Sequence, residues 1–197
     1  MLFYRGDPLP ATRRQGCFPP PPVCCNITRM NLIKALPATH TRPSAMEIVI
    51  RTLTPEDPVP YALLLLADPS RPLVEEYLPR GFCYLAECGP RVVGVLVLIR
   101  TRPETMEIVN LAVGEPYQGR GVGKKLIGHA VARAREMQAR TLEIGTGSTG
   151  VGQLLLYQKC GFRPTGVDRD FFVRHYPEPI YENGMQLRDM VRLSMDL

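Results

Sequence analysis

Two glycine-rich turns, one tyrosine and one carboxylate are the residues of this chain best placed to do chemistry. The first turn reads Gln118-x-x-Gly121-x-Gly123, after the apolar run Leu111-Ala112-Val113 and just before Lys124. Gly119, Gly121 and Gly123 lack a Cβ, so the backbone from Gln118 through Arg120 and Val122 to Lys124 can approach a ligand closely and can take positive φ. At a helix start, free N–H groups and the partial positive charge favour phosphate. The guest this predicts is a pyrophosphate-bearing cofactor. A lysine-tipped nucleotide loop would need Gly-x-x-x-x-Gly-Lys-Ser/Thr. Here Lys125 follows Gly123-Lys124, so the hydroxyl for Mg²⁺ is missing, which argues against a nucleotide triphosphatase.

The second turn, Gly145-Thr146-Gly147-Ser148-Thr149-Gly150, spells Gly-x-Gly-x-x-Gly between a strand and a helix. Asp168 and Asp170 follow about twenty residues on, where a dinucleotide-binding unit carries its ribose-binding acid. A dinucleotide-binding redox protein is therefore an alternative reading. Three features weigh against it. Arg163-Pro164-Thr165-Gly166 is a poor strand sequence. Too little chain follows Asp170 for further βαβ units. The first glycine loop would be left without a purpose.

Downstream of the first loop stands Leu156-Tyr157-x-x-x-Gly161-Phe162. A Gln-x-x-Gly-x-Gly loop after an apolar strand, followed at this distance by Leu-Tyr-x-x-x-Gly-Phe, resembles the GNAT superfamily of acyl-CoA-dependent N-acetyltransferases. The resemblance covers residues 46–197, and the wider pattern looks like a subgroup of small bacterial GNAT proteins with unassigned substrates. It implies acetyl-CoA as co-substrate, with the acetyl group passing to a primary amine by direct attack in a ternary complex. The main chain of Leu111, Ala112 and Val113 would line the pantetheine, and Gln118 to Lys124 would hold the pyrophosphate. Ser148 stands near the helix start where GNAT proteins often place an asparagine for the cofactor arm. Tyr157 matches the family's tyrosine beside the CoA sulfur, a proton donor. Glu107 lies on the strand before the loop, where many GNAT enzymes carry a glutamate that acts as base through water. The acceptor is left open between a small-molecule amine and a protein N-terminus or lysine. A non-catalytic acyl-CoA-binding sensor is the second alternative.

The proposed chemistry has clear requirements. An alkyl ammonium of pKa about 10.4 must lose a proton before it can attack a thioester, so a base is useful. The developing oxyanion needs a backbone N–H aimed at it. Asp170, Glu178 and Glu182, in an aromatic and proline-rich stretch, are candidates to attract a cationic amine. His129 reads as a packed or surface histidine, and Cys160 as a packing thiol rather than a nucleophile.

Composition narrows the field. Of 24 basic and 19 acidic residues, six and one fall in residues 1–45, which leaves 18 of each sign beyond. The basic balance thus belongs to the N-terminal segment and gives no argument for nucleic acid binding by the rest. That segment contains Pro19-Pro20-Pro21-Pro22 and no sustained period, the composition of a disordered extension. Met46 opens the first strand and is the expected native start. Six cysteines without paired Cys-x-x-Cys spacing, and three scattered histidines, predict free thiols and no metal. The apolar run Tyr61 to Ala67 is too short for a membrane span. A reducing cytoplasm and no membrane are the expectation. A symmetric homodimer is the commonest assembly for such a chain.

The elements that must position these residues follow from pattern. Residues 47–51 read as a strand, and Thr54-Pro55-Glu56-Asp57 as a capped helix start, with one or two helices to Leu78. A hairpin spans 82–100, and a strand runs from Thr105 to Val113. A helix covers Val122 to Gln138, with an apolar stripe through Leu126 and Ala130. Next come a strand from Thr141 to Ile144 and a helix over 150–160 stopped by Gly161. Two returning strands run through 162–174 and 185–193. The order implies an α/β fold of GNAT type. Its sheet is mixed, mostly antiparallel and six- to seven-stranded, with helices on both faces.

Overall fold

The computed structural model describes residues 46–197. The proline-rich extension over 1–45 lies outside the described residues. Seven strands form one sheet, in the order β1 (Val49–Thr52), β2 (Phe82–Cys88), β3 (Arg91–Arg102), β4 (Thr105–Val113), β5 (Thr141–Gly147), β9 (Met190–Asp196), β6 (Arg163–Asp168). Every neighbouring pair is antiparallel except β4 with β5. The expected mixed, mostly antiparallel sheet is what forms. A two-residue hairpin, β7 (Tyr181–Glu182) and β8 (Met185–Gln186), stands apart from it.

Two apolar layers cover the two faces. On one, α3 (Val122–Glu136) buries Val122, Leu126, Ile127, Ala130 and Ala134 among Leu96, Leu98, Met106, Ile108, Leu142 and Ile144. Tyr157 of α4 (Val151–Lys159) and Phe162 complete this layer. On the other face, α1 (Tyr61–Ala67) and α2 (Arg71–Tyr77) set Leu64, Val74 and Tyr77 against Leu85, Val95, Val97 and Ala112. His129 is half-buried and packs edge-on to Tyr84, at 4.6 Å between ring centres.

Three expectations need correction. Thr54 does not cap a helix; α1 begins only at Tyr61. Asp57 instead accepts from the Thr54 N–H and hydroxyl at 2.8 and 2.9 Å, and from both terminal nitrogens of Arg51. That turn, followed by Pro58 and Pro60, closes before a helix can propagate. Residues 162–174 are not one strand. β6 stops at Asp168, Asp170 takes φ +56°, and α5 (Phe171–His175) follows. The last strand starts at Met190, not Met185. The sequence Arg163-Pro164-Thr165-Gly166 does form a strand, but at the sheet edge and with an irregularity between Pro164 and Gly166. An edge strand tolerates proline because its outer side has no ladder to complete.

Candidate functional site

β4 and β5 pair only from Thr105↔Thr141 to Ile108↔Ile144. Beyond that, β4 stays with β3 to Val113 while β5 follows β9 to Gly147. The two central strands therefore part, and the β4 edge over the stretch Leu111–Val113 faces an opening. The Gly114 N–H bonds the Val93 carbonyl of β3 at 2.9 Å. By strand alternation, Leu111 and Val113 turn their N–H and C=O groups the other way, into the opening. The Val113 carbonyl there accepts from the Gln118 side-chain amide at 2.9 Å. Gln118 is thus brought against the end of the Leu111–Val113 stretch.

The glycine loop ends on the N-terminus of α3. Gly119 and Gly121 have φ of +69° and +84°, and a Cβ at either would meet no atom. Their need for glycine is conformational rather than steric. Gly121 is the N-cap, no side chain caps the helix, and its first turn holds no acid. Lys124 and Lys125 lie in that first turn instead, against the helix dipole. The Lys125 N–H is the first to close a helical bond, back to Gly121. The N–H groups of Val122, Gly123 and Lys124 precede it and are available to an anion. Gln118, Gly119, Arg120, Gly121 and Lys124 are exposed around this point. Glu115 is exposed too, so its charge can stay in solvent.

Gly123 has a different reason. A Cβ there would sit 3.4 Å from Leu156 Cδ2 and 3.9 Å from Val113 Cγ2. The loop, the end of β4 and α4 therefore meet at this residue, and α4 carries Tyr157 beside Leu156. Leu-Tyr-x-x-x-Gly-Phe is itself a helix stop. Gly161 takes φ +100°, its N–H bonds the Gln158 carbonyl, and the Phe162 N–H bonds the Tyr157 carbonyl at 3.1 Å. This is the paired C-terminal cap that requires a left-handed residue after the helix. It folds the Phe162 ring back to 6.3 Å from the Tyr157 ring. Tyr157 is thereby 5% exposed, and burial, with smaller effects of Cys160 and Glu182, pushes its hydroxyl up to about 12. Burial also raises the Cys160 thiol, which leaves it a poor nucleophile.

The second glycine turn packs against the returning chain. A Cβ at Gly145 would strike Met190 Sδ at 2.6 Å, and one at Gly147 would strike Leu187 Cδ1 at 2.3 Å. These glycines make room for the returning chain. The start of α4 is also occupied by protein groups. The Thr149 hydroxyl donates to Glu182, and Asn183 donates to the Thr149 carbonyl. A carboxylate beside that helix start disfavours phosphate there. Ser148 is exposed, with its N–H on the Asp189 carbonyl.

Glu107 stands at the paired end of β4, directly across from Glu143. Two arginines offset the pair: Arg192 donates to Glu107 at 2.9 Å, and Arg102 donates to Glu143. Burial raises the Glu107 carboxyl above its ordinary value. Arg192 pulls it back, Glu143 pushes it further up, and Arg102 lowers it. These four side chains with Thr165 and Leu193 line a pocket of about 350 Å³.

Sequence reasoning missed a polar cluster on the α1–α2 face. Asp68, at the end of α1, is 8% exposed and accepts from the Ser70 N–H at 3.0 Å and the Tyr176 hydroxyl at 3.2 Å. Asn110 of β4 donates to the Tyr77 hydroxyl and the Leu64 carbonyl. The only sequence signal was Ala67-Asp68-Pro69, which reads as a helix end. Of the acids expected to attract an amine, Asp170 is paired with Arg188 and Glu182 with Thr149 and Gln153. Glu178 is exposed.

The acetyltransferase (GNAT) family model matches residues 46–162. An uncharacterized N-acetyltransferase, YvbK of Bacillus subtilis (strain 168), is 58% identical over 137 residues, spanning 70% of this chain and 88% of that one. Two solved structures share the fold closely. A GNAT family acetyltransferase from Elizabethkingia anophelis with acetyl-CoA bound has a TM-score of 0.75 at 45% identity, covering 76% of this chain and 98% of that one. A Bacillus subtilis acetyltransferase in complex with CoA has a TM-score of 0.73 at 53% identity, covering 77% and 99%.

Proposed function

We infer the function from one established premise, that the chain belongs to the acetyltransferase (GNAT) family: it moves the acetyl group of acetyl-CoA to a primary amine by direct attack. The observation that carries this reading is the junction at Gly123, where the uncapped start of α3, the open edge of β4 and the helix bearing Tyr157 meet. The pyrophosphate sits on the N–H groups from Val122 to Lys124, with Gln118, Gly119, Arg120 and Gly121 around it. The pantetheine runs along the β4 edge, bonding the main chain of Leu111 and Val113. Gln118 gives up the Val113 carbonyl to a pantetheine amide. Ser148 lies on the opposite bank, at the turn before α4.

Glu107, directly or through a water, takes a proton from the acceptor ammonium. The freed nitrogen lone pair attacks the thioester carbon and forms the C–N bond. A β4 N–H stabilises the oxyanion. The intermediate collapses, the C–S bond breaks, and the electron pair leaves on the CoA sulfur beside the Tyr157 hydroxyl. The nitrogen passes its second proton through water to the departing thiolate, which leaves as the CoA thiol, and Glu107 returns the first proton to solvent.

A thermal unfolding scan with acetyl-CoA, CoA and NAD tests the cofactor class. Ligand at a hundred times its dissociation constant adds about 2.7 kcal/mol, worth several degrees. Shifts with acetyl-CoA and CoA but not NAD are expected. A shift with NAD alone would overturn the assignment and favour the turn at Gly145–Gly150. Turnover on an amine panel then separates an enzyme from a non-catalytic acyl-CoA sensor.

The loop geometry gives a second test. Gly121→Ala forces a residue with a Cβ into the left-handed region, at a cost of about 1–2 kcal/mol. Because that Cβ meets nothing, the protein still folds. Calorimetric titration is expected to read roughly tenfold weaker acetyl-CoA binding, as the loop relaxes away from the bound geometry. Unchanged affinity would remove Gly121 from the phosphate site.

A further inference from the structure

The pocket at Glu107 is charged on both sides in a way that constrains the acceptor. Glu107 and Glu143 are direct neighbours on parallel strands, an arrangement that repels unless cations sit beside it. Arg192 comes from β9 and Arg102 from the end of β3, so each carboxylate has a guanidinium at the pocket wall. Arg192 also lies 3.6 Å from Asp168 and 5.3 Å from the Phe171 ring. A second carboxylate and an aromatic face therefore hold that arginine at the wall if Glu107 turns to another partner.

A purely cationic amine, such as a diamine or polyamine, would meet two carboxylates but be repelled by both arginines. A purely anionic ligand would meet the reverse. A molecule with an ammonium at one end and a carboxylate at the other satisfies both walls. We propose that the acceptor is a small zwitterionic amine of the amino-acid class, its ammonium on Glu107 and its carboxylate on Arg192 and Arg102. This rests on the acetyltransferase reading, because it gives Glu107 both the binding and the proton-accepting role. The existing ion pairs do not block the site. Arg192 is 38% exposed and Arg102 60%, while Glu107 and Glu143 are 17% and 27% exposed; the guanidiniums form the solvent side of these part-buried pairs, where a ligand carboxylate can reach them. The volume, about 350 Å³, is at the small end for ligand pockets and suits a single small molecule.

The test compares free amino acids with their carboxamides, together with a diamine and a polyamine, all with acetyl-CoA. The carboxamide keeps the ammonium and loses the carboxylate. Its amine is less basic, so intrinsic reactivity runs against the expected preference. The expected kcat/KM ratio of acid to amide is at least tenfold for the best substrate. That ratio falls toward one in Arg192→Gln or Arg102→Gln. Both substrates use the same base, so a common loss of turnover cancels in the ratio. Calorimetry on CoA-saturated protein reads the same preference without turnover. Amino-acid binding with a carboxylate preference, but no acetylation of any amine, would sink the acetyltransferase reading and leave the zwitterion site standing. Efficient acetylation of amides or polyamines, or a ratio untouched by both arginine variants, overturns the zwitterion proposal and leaves the acetyltransferase.

Discussion

Glu107→Gln is expected to lower kcat/KM by about a hundredfold or more at neutral pH, within the range that a positioned base contributes. It should also erase the acidic limb of the pH profile. The size follows from the substrate. At pH 7.4 roughly one alkyl amine in a thousand is unprotonated, and a glutamine cannot take the proton. The direction of the pH effect follows from the site. Burial holds the Glu107 carboxyl above its ordinary value while Arg192 pulls it down. Activity therefore rises with pH as Glu107 loses its proton, and that rise lies above the usual carboxylate range. Arg192→Gln removes the main opposing charge, so the limb should move to higher pH. In Glu107→Gln the limb due to Glu107 vanishes, and only the rise from amine deprotonation remains. Rate profiles of the three proteins with one acceptor check this. A Glu107→Gln profile that matches the unsubstituted protein in shape and height would remove Glu107 as base. The fold should survive, because glutamine still offers Arg192 an acceptor and Asp168 stays within its reach.

The succession of strands along the chain was legible because they alternate or run apolar over lengths that a buried strand explains, as in Thr105 to Val113. The glycine loop before α3 was legible for a related reason. Gly119 and Gly121 occupy backbone conformations that few other residues adopt, so their spacing records geometry directly. Gly145 and Gly147 show the limit of that inference. They are spaced like a phosphate turn, yet the side chains of Met190 and Leu187 fill the space beside them. A sequence motif does not reveal which atom approaches it. The region after β6 was least legible. Its short helix and its contacts to Asp68 and Arg192 depend on partners over a hundred residues away for Tyr176 and about twenty for Phe171. The charge pattern of the pocket was hidden for the same reason, since Arg102, Glu107, Glu143 and Arg192 come from four strands.

Tyr157→Phe is expected to lower kcat by about a hundredfold, the lower end of general acid contributions, while acetyl-CoA affinity stays within a few-fold. The physical argument limits what the hydroxyl can do. Buried on α4, it is pushed up to about 12, whereas a thiol ordinarily titrates near 8.5. Complete proton transfer from the phenol to the departing thiolate is then uphill. A hydrogen bond to the sulfur as it gains charge is the more economical role, and it favours the transition state over the uncharged thioester. Phenylalanine keeps the ring, its contact with Phe162 and the packing around α4, so folding and cofactor binding are preserved. The loss should therefore appear in kcat and equally in kcat/KM, the pattern of an interaction made only in the transition state. An acyl donor with a more acidic leaving thiol should recover part of the lost rate, because its thiolate needs less help. A rate loss confined to KM, or one indifferent to the leaving group, would assign Tyr157 to packing alone.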